Sequence, residues 1–261
     1  MIRYFQTAIR NYFVELTYFI VRSYSIRPPR MSRTIAIGDI HGCATALDRL
    51  LVEIQPTQED TVIGIGDYVD RGMNSAGTLD ILISLVGKTK FVPLIGNHEL
   101  MMYHGLYGEK SDLEYWYQHG GNATVASYGG RAENIPQHHL SFLSHCVRFY
   151  ETDTHFFVHA NYEPNLMLAE QPDEVIFWKH LNAGIPSLHA SGKIAVVGHT
   201  PQHEGDVLNL GHILAIDTYC YGDQWLSAVD VESGTIWQAN NRGDLRMSNV
   251  EDVQESQAEA E

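Results

Sequence analysis

Three short stretches of the chain carry side chains suited to holding cations and moving protons. They are Gly38-Asp39-Ile40-His41-Gly42, Gly66-Asp67-Tyr68-Val69-Asp70-Arg71-Gly72 and Gly96-Asn97-His98-Glu99. Carboxylate, imidazole and amide donors without a thiolate suit Mn²⁺, Fe or Zn²⁺ rather than Ca²⁺. Metal-assisted hydrolysis needs a nucleophile at neutral pH, neutralised charge on the group under attack and a protonated leaving group. Two cations about 3.5–4 Å apart meet the first two needs by sharing a bridging hydroxide. Each residue alone has a plainer explanation. An Asp after Gly at a strand end is commonly a turn residue or a helix N-cap, and the chain has 14 histidines. Recurrence at three strand ends, in order, is what points to a site.

The elements that position these residues are legible from periodicity. Each stretch follows a β-rich apolar run: Thr34 to Ile37, Thr61 to Ile65 and Phe91 to Ile95. A strand that stops at Gly and delivers Asp, His or Asn at its carboxyl end is how open α/β sheets build active sites. The spacing of about 30 residues is that of successive βαβ units. Between the stretches, Leu47, Leu50, Leu51 and Ile54, then Leu79, Leu82, Ile83 and Val86, recur at i, i+3, i+4, i+7. These stripes predict helices packed on a sheet, with Gly87 ending the second. Residues 100–150 are helical, aromatic and glycine-punctuated. Strands resume at His155 to Val158, Ile194 to Val197 and Ile213 to Ile216, and a hairpin turns at Ser233-Gly234 between Leu226–Val231 and Thr235–Ala239. The alternation predicts an α/β fold, with neither an internal repeat nor a second domain.

Taken in order with His159-Ala160, Gly198-His199-Thr200 and Asp217, the three stretches resemble the metallophosphoesterase signature. The form is that of the phosphoprotein phosphatase family of serine/threonine phosphatases, and the resemblance runs from Thr34 to Asn240. Ala160-Asn161 in place of the Gly-Gly of eukaryotic members points to the bacterial branch. The resemblance implies a calcineurin-like sandwich of two mixed β-sheets flanked by helices, with the metals at one end. It implies that Asp39, His41 and Asp67 hold one divalent ion and Asp67, Asn97, His159 and His199 the other. Mn²⁺ is the expected metal, with Fe or Zn²⁺ as alternatives. His98 is expected to be the general acid, oriented by Asp70, with Arg71, Asn97 and His98 on the substrate phosphate. Glu99 and Asp217 are expected close to the site. The stretch Trp116 to Gly121, with Thr124 and Ser127-Tyr128-Gly129, resembles the helical insert of bacterial members, which shapes the substrate cleft. One departure stands out. Many members supply a second phosphate-binding arginine after a tryptophan, but here the stretch reads Phe177-Trp178-Lys179-His180, and there is no arginine between Arg148 and Arg242. Lys179, His180 or Lys193 are the candidate substitutes.

Direct attack by a metal-bridging hydroxide on phosphoserine or phosphothreonine in proteins is the leading expectation. Symmetrical diadenosine tetraphosphate hydrolysis and broad phosphoesterase activity are the alternatives. A non-catalytic phosphate-binding module is disfavoured because the ligands and the acid are all present. Composition fits a soluble globular protein, with 44% hydrophobic and 19% charged residues in a chain of 261. A net charge of −15 argues against a nucleic-acid partner, while bound metals would still attract a phosphorylated protein or small molecule. Three cysteines without paired spacing, Cys43, Cys146 and Cys220, suit a reducing compartment, and a cytoplasmic location is expected. Residues 1–32 are expected to be an extension outside the fold. Five arginines, many aromatics and Pro28-Pro29 allow a signal-like, membrane-surface or targeting segment, with Met31 as the true start the favoured alternative. No stable membrane insertion is expected, because the apolar run from Tyr12 to Val21 is too short to span a bilayer and is broken by Glu15. The domain proper is assigned to 33–243, and 244–261, with six acids and no period, to a disordered acidic tail.

Overall fold

The computed structural model describes residues 32–253. Two sheets form the frame. The first has the order β11-β10-β9-β1-β2-β3, from β1 (Thr34–Ile37), β2 (Thr61–Gly64), β3 (Lys90–Pro93), β9 (Leu226–Asp230), β10 (Thr235–Ala239) and β11 (Leu245–Asn249). The second has the order β4-β5-β6-β8-β7, from β4 (Phe149–Glu151), β5 (His155–Val158), β6 (Ile194–Val197), β7 (Leu208–Asn209) and β8 (Ile213–Ala215). Strands β1, β2 and β3 are mutually parallel, and so are β5, β6 and β8. Each sheet therefore aims three carboxyl ends the same way.

Side-chain alternation along the strands builds three layers of core. Ala36, Ile63 and Leu94 of the first sheet and its loops meet Phe157, Val196 and Leu214 of the second. Ile35 and Ile37 face the other way and pack on α1 (Ala44–Ile54) and α2 (Ser75–Leu85). Phe156, Val158 and Val197 pack outward on α7 (Asp173–Trp178). Strands covered on both faces read as continuous apolar runs, which is why the sequence shows them so clearly. Leu47, Leu50, Leu79 and Leu82 are fully buried, a gain of about 2 kcal/mol each. The stripe of α2 finishes on Leu85 instead of Val86, which is 63% exposed. The helix stops at Leu85, Val86 turns extended, and Gly87 follows at φ 82°.

Four helices fill residues 97–144: α3 (Asn97–Tyr107), α4 (Lys110–Trp116), α5 (Asn122–Ser127) and α6 (Gln137–Ser144). A π-helical turn, Tyr117–Gly121, joins α4 to α5.

The assignment of 244–261 to a disordered tail is corrected over its first part. Leu245–Asn249 forms edge strand β11, paired along the whole of β10. Its ladder uses backbone groups, and its side chains are mostly polar, so hydropathy gave no sign of it. Arg246 anchors the strand, donating to Gln238 Oε1 and Asp206 Oδ1 at 2.7 Å with its guanidinium over Trp225. Residues 1–31 and 254–261, including most of the expected extension, lie outside the described residues. Among the described residues no helix is long and apolar enough to cross a membrane.

The start of β1 is tied down by Asp60. Its carboxylate accepts from Arg33 Nε at 3.1 Å, an Arg33 terminal nitrogen at 2.7 Å and the backbone N–H of Thr57 at 2.8 Å. Burial pushes the Asp60 carboxyl up, but these donors outweigh it and hold the group well below the usual carboxylate range. A depressed folded pKa stabilises above the unfolded value, about 3.9, and is lost as pH falls through the folded value. Asp60→Ala is expected to cost about 3 kcal/mol and to lower Tm by about 2–4 °C per kcal/mol. In thermal melts the gap between variant and wild type should begin to narrow below about pH 4 and shrink further as pH falls toward the folded value.

Candidate metal and phosphate site

The six parallel strands deliver the site. Asp39 and His41 follow β1, Asp67 follows β2, Asn97 opens α3 after β3, His159 follows β5, His199 follows β6, and Asp217 follows β8. All seven are buried. In each of two clusters the ligand atoms lie within 4.8 Å of one another: His41, Asp67 and His98, and Asp67, His159 and His199. Asp67 belongs to both. Its Oδ2 is 3.4 Å from His41 Nε2 and its Oδ1 is 3.5 Å from His159 Nε2. Asn97 Oδ1 lies 2.9 Å from His159 Nε2 and 3.0 Å from His199 Nδ1. Asp39 joins through the His199 backbone N–H, which donates to its Oδ2 at 3.0 Å.

Ring orientation separates the histidines into two kinds. His41 places Nδ1 2.8 Å from the Val69 carbonyl, and His159 places Nδ1 2.9 Å from that of Ile65. His199 places Nε2 3.1 Å from the Trp178 carbonyl. A ring N–H donated to a carbonyl fixes the tautomer and leaves the other nitrogen as a lone-pair donor, the usual state of a metal-binding imidazole. In each case that other nitrogen faces Asp67 or Asn97. His98 differs. Its Nδ1 is 2.8 Å from Asp70 Oδ2, and its buried Nε2 has no hydrogen-bond partner.

Asp70 is itself held from several sides. Trp116 Nε1–H donates to both its oxygens at 2.9 Å, and the Thr124 hydroxyl donates to Oδ1 at 2.7 Å. The aromatic insert thus acts on the site through Asp70, and Trp116 is fully buried in doing so. Glu99 secures the Asp67 loop: its carboxylate accepts from the backbone N–H groups of Gly96, Asp67, Tyr68 and Val69 at 2.7–3.3 Å. Those bonds offset strain. His41, Asp67, Asp70, Arg71 and His199 all have φ between 45° and 71°, a conformation costing roughly 1–2 kcal/mol each for an L-residue. Strain gathered on the residues that converge at one place is the mark of a functional site.

The electrostatics call for cations. Burial pushes Asp67, Asp217 and Glu99 up to about 7. Asp39 is raised too, by burial and then by repulsion from Asp217 and Asp67. Burial pushes His159 down to about 4 and lowers His41 and His199. Crowded carboxylates beside neutral imidazoles are stable when divalent ions replace the missing positive charge. Buried oxygens Asp39 Oδ1 and Asp217 Oδ2 also lack hydrogen-bond partners. The donor set fits a metal pair.

A cleft of about 250 Å³ opens onto Asp67, Asn97, His98 and His199. Arg71, Tyr115, His119, Trp178, His180, Pro201 and Tyr221 complete its walls. The sequence matches the calcineurin-like phosphoesterase family over residues 32–227. The chain belongs to that family. Members use a pair of divalent metals, in keeping with the clusters around Asp67. Over 76 residues the chain is 41% identical to a symmetrical bis(5′-nucleosyl)-tetraphosphatase of Acidovorax ebreus, covering 28% of this chain and 26% of that protein. Over 103 residues it is 32% identical to serine/threonine-protein phosphatase 1 of Salmonella typhimurium, covering 38% and 45%. The matches therefore span less than half the length of these relatives. The crystal structure of a cold-active protein-tyrosine phosphatase from Shewanella superposes with a TM-score of 0.59 at 14% identity, over 83% of this chain and 80% of that one. The calcineurin-like phosphoesterase fold is the common ground.

Of the candidate substitutes for the second arginine, only His180 reaches the cleft, stacked on His199 at 4.2 Å between ring centroids. Lys179 pairs with Glu163 at 3.0 Å. Lys193 precedes β6, at the end opposite His199, and pairs with Glu151 at 2.7 Å. Tyr221 escaped sequence reasoning. Its hydroxyl accepts from Arg71 at 2.7 Å, and its ring packs on His41. Nothing in the local sequence marks it beyond its place four residues after Asp217.

Gly120 sets the position of Arg71, whose backbone N–H donates to the Gly120 carbonyl at 3.2 Å. Gly120 has φ 108°, and a Cβ there would lie 2.9 Å from the Arg71 nitrogen. Gly120→Ala is expected to lower kcat/KM by about 10–100-fold through displacement of Arg71. Steady-state kinetics alongside a thermal melt would separate this from loss of fold.

Proposed function

We propose that this chain is a two-metal phosphomonoesterase that acts on phosphoserine and phosphothreonine in proteins. One arrangement carries the reading: His98, tethered through Nδ1 to Asp70, lines the same cleft as Asp67, Asn97, His199 and Arg71. Asp39, His41, Asp67, Asn97, His159 and His199 would hold the ions, with Mn²⁺ as the expected metal. When bound, the pair supplies Lewis acidity that activates water and neutralises phosphoryl charge.

The remaining work falls to the chain's own groups. Arg71, exposed at the cleft and steadied by Tyr221, offers a planar fork of donors to the phosphoryl oxygens. The Asn97 amide and His98 help orient the same group. Burial lowers the His98 imidazole well below its ordinary value and raises the Asp70 carboxyl, so the acid proton belongs to the Asp70–His98 pair. Asp70 keeps the ring aimed through Nδ1, and His98 gives the proton on Nε2 to the leaving oxygen. Among the described residues the cleft walls hold no serine, threonine or cysteine, and their one carboxylate, Asp67, would be taken up by the ions, which favours attack by water. A larger hollow of about 540 Å³, lined by α3 and α6, has no cationic side chain and is unsuited to phosphate.

A second reading is symmetrical hydrolysis of diadenosine tetraphosphate. Tyr115, Trp178 and Tyr221 line the cleft and could stack on a nucleobase, and one relative carries that activity in its name. The test is kcat/KM for a phosphothreonine peptide and for diadenosine tetraphosphate under the same Mn²⁺ conditions. A higher value on the peptide is expected. A higher value on the dinucleotide moves the assignment to the second reading, and turnover of neither overturns both.

A further inference from the structure

A second group of metal-binding side chains lies away from the cleft, where α2 meets α6. Asp80 of α2 and His138 and His139 of α6 bring three ligand atoms within 4.8 Å of one another. Asp80 Oδ1 is 3.0 Å from His139 Nε2 and 4.0 Å from His138 Nε2. The two rings are 4.3 Å apart between centroids at 66°. Ligands bound to one ion at about 2.0–2.2 Å in tetrahedral geometry stand roughly 3.3–3.6 Å from each other. The two separations, 3.0 and 4.0 Å, bracket that spacing and reach it with small side-chain adjustment.

Two further features go beyond a chance surface contact. His139 is 2% exposed, yet its Nε2 is aimed outward at the exposed Asp80 carboxylate. Its other nitrogen, Nδ1, lies 2.7 Å from the Tyr128 hydroxyl. Nε2–H donates to the Asp80 carboxylate at 3.0 Å and Nδ1 accepts from Tyr128. A cation bound at Nε2 would move the ring proton to Nδ1, where the Tyr128 hydroxyl accepts it, the orienting bond that metal-binding histidines commonly have. His138 and Asp80 are 61% and 68% exposed, which leaves the site open to solvent on one side.

We infer that Asp80, His138 and His139 form a Zn²⁺ site independent of the catalytic pair, with Tyr128 orienting His139 and water completing the coordination. Two imidazoles and one carboxylate are a borderline N/O set, suited to zinc over calcium or magnesium. The ion would join α2 to the helical insert. Those elements already meet near the cleft, where Ser75 at the start of α2 is 3.0 Å from Thr124, the residue that bonds Asp70. Zinc here would lock the insert in place from outside the active site.

The test is zinc stoichiometry by elemental analysis after equilibrium dialysis of the full chain, for wild type, His138→Ala and Tyr128→Phe. His138 is 61% exposed, so its replacement is expected to leave the fold intact. Wild type should hold one more zinc per chain than His138→Ala, and added zinc should raise the Tm of wild type more than that of the variant. Tyr128→Phe should keep the site with affinity weakened by about 10–100-fold. Equal stoichiometry and equal zinc-induced Tm shifts for wild type and His138→Ala would overturn the assignment. Unchanged affinity in Tyr128→Phe would overturn the role given to Tyr128.

Discussion

Asp67→Asn is expected to lower kcat by about 10³-fold or more and at the same time to raise the Tm of the chelated protein at pH 8. The first effect follows from position. Asp67 is the one carboxylate common to both ligand clusters, and a neutral amide cannot bridge two cations as a carboxylate does. A metal pair contributes several kcal/mol to charge stabilisation in the transition state, and each 1.4 kcal/mol is tenfold in rate. The second effect follows from burial, which pushes Asp67 up to about 7. A carboxyl whose folded pKa is raised favours the fold below its unfolded value, about 3.9. It loses that advantage as pH rises toward the folded value. At pH 8 without metal, ionised Asp67 opposes folding beside Asp39 and Asp217, and an amide does not. Asparagine can still accept the His98 backbone N–H, which donates to Asp67 Oδ1 at 3.0 Å. Chelated wild type should also melt lower at pH 8 than at pH 5, with added Mn²⁺ closing most of that gap. A variant that keeps wild-type turnover would contradict the bridging role, and one that melts lower than wild type in chelator at pH 8 would contradict the cost assigned to burial of the ionised carboxylate.

His98→Asn tests the proton donor. General acid catalysis is worth about 10²–10⁴-fold, and that loss is expected in kcat on a phosphoserine peptide, whose alkoxide is a poor leaving group. On p-nitrophenyl phosphate the loss should be much smaller, because p-nitrophenolate leaves without a proton. Metal content should stay at the wild-type level, since His98 directs Nδ1 to Asp70 while His41, His159 and His199 direct one ring nitrogen to backbone carbonyls. Asp70→Asn should show the same dependence on leaving group with KM little changed. Equal losses on both substrates, or loss of metal, would place His98 among the ligands instead.

The sequence alone located eight of the described strands, the helices between the first three and the metal-binding residue types at their carboxyl ends. Each motif is local, an apolar run closed by glycine and then a polar ligand, so a window of ten residues holds the whole signal. It also located the hairpin at Ser233-Gly234, observed between β9 and β10. It missed β4, β7 and β11, all edge strands, because an edge strand is recruited by backbone pairing and needs no apolar pattern. Tertiary structure decided the rest. Arg71 and Tyr221 are 150 residues apart, Asp70 and Thr124 are 54 apart, and Asp80 and His139 are 59 apart. Such pairs carry no local signature, since strand ends, loops and helices distant in the chain had to pack together before they could meet. Which groups act on a substrate depends on distances and ring orientations, and these come only from long-range packing.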